Sequence, residues 1–124
     1  MNWTQLEIFK GIDLNDSFVE HWSCKNSCLV FDLEASIWPE SKYYTKPLKD
    51  EYTCYRKASL TFCGIHSIIG LLPIESVQES KDLDGSIDYG NIEELNKTHD
   101  GFKLVGEFGD VKIKGGELCF EIHT

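Results

Sequence analysis

No stretch of this chain is apolar over the roughly 20 residues that a bilayer-spanning helix needs. The opening residues, Met1-Asn2-Trp3-Thr4-Gln5-Leu6-Glu7, carry neither the basic nor the apolar region of a secretory leader. These two absences predict a cytoplasmic protein with no membrane partner. Basic charge is also scarce: 12 Lys and Arg stand against 21 Asp and Glu, a net charge of −9, which opposes attraction to nucleic acid and to anionic membranes. Catalytic signatures are missing as well. There is no G-x-S-x-G elbow, no phosphate-binding glycine loop and no H-E-x-x-H helix, so neither a catalytic residue nor a cofactor is expected.

The five cysteines, Cys24, Cys28, Cys54, Cys63 and Cys119, are an odd number in a chain without an export signal, and reduced thiols are expected. Cys24-x3-Cys28 has a spacing that zinc-ligand pairs use, but no second pair completes it, since His21, His66, His99 and His123 are scattered. Ser80 to Asn91 partly matches a calcium loop, with Asp82, Asp84 and Asp88 at alternate positions and Gly85 at the sixth. The match lacks an acidic first position, a glutamate at the twelfth and flanking helices. It reads instead as an acidic turn in which Asp88 and Asn91 anchor local backbone, and no metal site is assigned.

What is present is enough for a core. With 41% hydrophobic and 27% charged residues, the 124-residue chain predicts one self-folding domain spanning residues 1–124. Leu29, Phe31, Leu33, Ala35 and Ile37 alternate with Asp32, Glu34 and Ser36, the period-two pattern of a half-buried antiparallel strand. Ser17 to Ser23 pairs with it through a Lys25-Asn26-Ser27 turn. Cys54, Ala58, Leu60 and Phe62 share the face of a further strand that Arg56 interrupts, and Gly64 is read as a break before a more fully buried strand from Ile65 to Leu72. A short helical turn is expected over Ile92 to Lys97 with Asn91 as its cap. A three-strand meander follows: Phe102–Phe108, Val111–Lys114 and Leu118–His123, punctuated by Gly109-Asp110 and Gly115-Gly116. With a further strand near Leu6 to Phe9, the chain reads as mainly β, an antiparallel β-sandwich or partly open barrel of about eight short strands with at most one short helix.

The region richest in interface-type residues is the long loop and strand from Trp38 to Arg56. It holds Trp38, Tyr43, Tyr44, Tyr52, Tyr55 and the single arginine, residue types that dominate binding hot spots. Trp38, Tyr43, Tyr44 and Arg56 are therefore the candidate partner-binding residues, against the competing reading that these rings cover an open end of the core. The leading expectation is a non-enzymatic interaction module with a protein partner. The alternative is a small-molecule-binding or enzymatic barrel whose pocket is lined from the Asp32 and Arg56 strands. Oligomeric state is left open, with self-association one of the outcomes.

Four segments carry a family resemblance: Phe9 to Val19 (FKGIDLNDSFV), Phe31 to Pro39 (FDLEASIWP), Tyr52 to Arg56 (YTCYR) and Asp84 to Ile92 (DGSIDYGNI). Over most of its length the chain resembles a family of small uncharacterised bacterial proteins, which implies a bacterial, cytoplasmic, β-rich single domain. More loosely it resembles small immunity-type proteins, acidic β-rich inhibitors of toxins.

Overall fold

The computed structural model describes residues 1–46, 54–81 and 87–123. Six strands form one antiparallel sheet in the order β1-β2-β3-β8-β7-β6: β1 (Ile12–Lys25), β2 (Cys28–Ile37), β3 (Cys54–Leu71), β6 (Ile92–Lys97), β7 (Gly101–Gly106) and β8 (Gly109–Ile122). The remaining two, β4 (Ser80–Lys81) and β5 (Ile87–Asp88), pair as a separate small ribbon. The architecture is thus mainly β, and of the two expected forms it is the partly open barrel. Among the described residues helix is limited to single 3-10 turns at Trp3–Gln5, Glu7–Phe9 and Ile74–Ser76.

The sheet curls until its edges approach. At one point of the seam Phe18 of β1 bridges Asn91, with Val19 N–H donating to the Gly90 carbonyl and Tyr89 N–H to that of Val19, both at 2.8 Å. Asparagine amides reinforce it: Asn15 donates to the Ile92 carbonyl, and Asn91 donates back to that of Asn15. Further along, the N-terminus covers the edge of β6, where Asn2 bridges Asn96 and the Met1 ammonium reaches the Lys97 carbonyl. A sheet edge is an open template for mispairing, and this arrangement covers it with few backbone bonds. The amides of Val19 and Tyr89 should therefore exchange with deuterium before those of Leu60 and Phe62 in mid-β3. Equal protection at both places would show that the seam is as firm as the ladder.

Alternation along β2 puts Leu29, Phe31, Leu33, Ala35 and Ile37 inside, all fully buried. The interior is filled by rings. Phe62 meets Phe102 edge-on at 5.0 Å, Phe31 meets Phe108 at 4.8 Å, and Trp3 and Phe9 close the end where β1 begins. Where β1 departs from regular register, Ser17 lies fully buried, donating to the Asp13 carbonyl and accepting the Ser36 N–H. The bulge thus satisfies its own polar groups.

Several expectations need correction. Residues 92–97 form strand β6, not a helical turn. A bulge between Ile92 and Glu94 leaves Ile92 and Leu95 as its buried residues, a spacing of three that imitates a helix. Gly64 and Gly115-Gly116 do not end strands either. All three have positive φ, between 75° and 93°, and bend β3 and β8 while both ladders continue. The strands are accordingly not all short, for β3 runs 18 residues and β8 runs 14. Nor is the second half of β3 more deeply buried: Ile69 is 64% exposed. Glu7–Phe9 forms a 3-10 turn that Leu6 precedes as its cap, not a strand.

The cysteine expectation is overturned as well. Register places Cys28 directly opposite Cys63, with Cα atoms 4.2 Å apart, and the two form a disulfide. Cys24, Cys54 and Cys119 are free. Since Cys28 is engaged in this bond, the Cys24-x3-Cys28 spacing holds no ligand pair.

Candidate functional site

The outer face of the sheet is polar and laced by ion pairs. Lys57 on β3 reaches Glu20 at 2.6 Å and Glu34 at 3.4 Å. Burial works against the charge of Lys57, but the hydrogen bond and charge of Glu20, with those of Glu34, outweigh it and hold the ammonium above the usual lysine range. Asp32 points out on this face, half-exposed beside His21 at 3.8 Å. Arg56 lies opposite Ala35 in the inward-facing row. Asp32 and Arg56 therefore sit on opposite sides of the sheet, and their side chains do not converge on one pocket.

The four candidate residues divide into two groups. Arg56 is partly buried and tied down locally, one guanidinium nitrogen donating to the Tyr55 carbonyl at 3.0 Å and another to the Thr45 hydroxyl. Its geometry is that of a clamp between strand and loop. Tyr44 is half-buried against the core, its N–H bonded to the Ser41 carbonyl. Trp38 and Tyr43 differ, because each lines a surface cleft.

Trp38 follows the last residue of β2, and its N–H donates to the Gly11 carbonyl at 2.8 Å, which fixes the ring beside the N-terminal turns. The indole remains 39% exposed and walls a cleft of about 360 Å³ with Gln5, Glu7 and Lys10. Tyr43 lines a neighbouring cleft of about 440 Å³ with Ile8, Lys10 and Phe120, and Lys42 lies over its ring at 5.1 Å from the centroid. Lys10 and Glu40 border both clefts. A third cleft, about 600 Å³, lies against Leu6, Glu7 and Ile8.

Residues 4–11 thus form the common wall of all three clefts. Chain chemistry explains why the segment stands there. Asn2 and Gln5 make a reciprocal capping box around the first 3-10 turn, and Trp3 and Phe9 pack inward edge-to-face at 6.3 Å. With those two rings anchored, Ile8 is turned outward, 39% exposed.

No family model, curated protein or solved structure matches this chain. Its site is therefore read from its own residues. Among the described residues no group of three or more His, Cys, Asp and Glu side chains is placed to hold a metal ion. Asp82 and Asp84 of the acidic turn, and Tyr52 of the aromatic cluster, lie outside the described residues. Asp88 does what the sequence suggested and anchors local backbone, accepting the Gly90 N–H at 2.9 Å. Among the described residues no helix is long and apolar enough to cross a membrane.

Ile8 and Lys10 were missed in the sequence because the segment reads there as a strand. The Asn2-x-x-Gln5 spacing is the one local signal that marks it as a turn.

Proposed function

We propose that this chain is a non-enzymatic binding module that docks a partner protein on the end of the barrel closed by its N-terminal turns. One observation carries the reading: two large apolar side chains, Ile8 and Trp38, each 39% exposed, stand beside three clefts that meet on one segment. Buried aromatic anchors surrounded by grooves are the usual centres of protein interfaces. Lys10, Lys42 and Glu40 give the polar rim such a centre needs. The filled interior supports surface recognition over a small molecule held inside the barrel. An acidic body of net charge −9 steers basic partners toward it, the class of partner an immunity-like inhibitor would meet.

Photo-crosslinking in cells that produce the protein tests this. A benzophenone side chain in place of Ile8 or Trp38 should yield a discrete protein adduct, whereas the same group in place of Val30 on the outer face should not. Adducts at all three positions alike, or at none, would refute the assignment. With the adduct identified, Trp38→Ala should weaken binding by about 2 kcal/mol, roughly thirtyfold, without unfolding the chain.

A further inference from the structure

The largest of the three clefts has a chemistry of its own. Its floor is backbone and ring: Gly101 and Phe102 from the start of β7, and Gly115 and Gly116 from the bend in β8. Leu6, Ile8 and Leu118 form apolar walls. Gly101 packs against the Ile113 backbone too closely for any side chain, and the bend in β8 holds its strand there through Gly115 N–H, which donates to the Asp100 carbonyl at 2.7 Å.

The rim is acidic. Three carboxylates, Glu7, Asp100 and Glu117, border the cleft from three different elements, against a single lysine, Lys97. All four are exposed, so their charge is available to an incoming group. An apolar trough with a carboxylate rim complements a cation carried on an apolar stem, which is the description of an arginine or lysine side chain: methylenes pack on the floor while the head group stays at the wet rim. Arginine fits best, since its planar guanidinium engages a carboxylate with paired hydrogen bonds where an ammonium offers only a point charge. A volume of about 600 Å³ exceeds one side chain and accommodates the residues flanking it.

We infer that this cleft receives a basic anchor residue, an arginine flanked by apolar residues, from the partner protein. The inference rests on the reading that a protein docks at this end, and deepens it by naming what the partner inserts. Ile8 belongs to this cleft and to the one lined by Tyr43, so a segment seated here meets the exposed apolar anchor without a gap.

The test uses the whole chain, labelled with ¹⁵N, and a synthetic peptide, acetyl-Gly-Leu-Arg-Leu-Gly-amide, against its citrulline counterpart, which keeps the shape and loses the charge. The arginine peptide should shift the amide signals of residues 6–8, 98–102 and 115–118, and the citrulline peptide should bind about tenfold more weakly. Glu7→Gln with Glu117→Gln should weaken the arginine peptide by a similar factor, as two rim ion pairs are lost. Both residues are exposed, so these variants should keep the wild-type spectrum elsewhere.

Equal binding of the two peptides, shifts confined to the surroundings of Trp38 and Tyr43, or no saturable shift at all would overturn the inference. Crosslinking at Ile8 and Trp38 would stand through any of these results, and so the failure of the anchor is separable from the failure of the docking face.

Discussion

Replacing Phe108 with alanine should lower the unfolding free energy by about 3–5 kcal/mol, the range for removing a well-packed ring from a core that closes only in part around the gap. The residue is fully buried although it lies in the two-residue turn between β7 and β8. Its ring meets Phe31 at 4.8 Å and Trp22 at 6.1 Å, both edge-on. Its carbonyl also accepts the Leu72 N–H, and the Leu72 carbonyl in turn accepts the Trp22 indole N–H at 2.9 Å. The turn therefore plugs the barrel at the end opposite Trp3 and Phe9 and ties down the chain leaving β3. Phe108→Leu, which keeps most of the volume, should cost less than about 1.5 kcal/mol. Urea titrations that give both variants the wild-type slope and separate midpoints would verify the difference. A loss below about 1 kcal/mol for the alanine variant would mean that the ring does not fill the space it occupies here.

Cys28→Ser combined with Cys63→Ser should cost about 2–4 kcal/mol. The bond closes a loop of sequence separation 35, and its stabilisation comes chiefly from restricting the unfolded chain. Treating the wild type with a reductant should lower its melting temperature toward that of the double variant and leave the variant unmoved. Cys24→Ser and Cys119→Ser, at exposed positions, should change little. Alkylation of the unfolded protein provides a direct count: three thiols react before reduction and five after it. Five reactive thiols without reduction would rule the bond out.

Strand β2 was legible in the sequence, since Asp32, Glu34 and Ser36 separate the inward residues from Phe31 to Ile37 and nothing interrupts the pleat. The β1–β2 hairpin was legible through Asn26-Ser27, whose φ values of 53° and 63° are tolerable in a two-residue turn. Legibility failed wherever the period changed. In β6 a bulge converted spacing two into spacing three, and in β8 a pair of glycines that could end a strand only bends one. The Cys28–Cys63 bond depends on register between segments far apart in the chain, which composition and parity of cysteines do not encode. Trp38 was singled out by residue type alone, and the fold leaves it 39% exposed just past the end of β2. Ile8 was not, because its exposure follows from Trp3 and Phe9 turning inward, a tertiary outcome.

Ile8 and Phe9 are neighbours in the chain, yet Phe9 is 2% exposed and Ile8 39%. Inside and outside are separated there by one peptide unit within a single 3-10 turn. Deleting one residue between Trp3 and Ile8 would rotate the wrong side chain into the barrel and carry the right one out to solvent. The stopper and the proposed contact surface would be lost in the same step, so a change in length here should cost more than a conservative exchange of side chains.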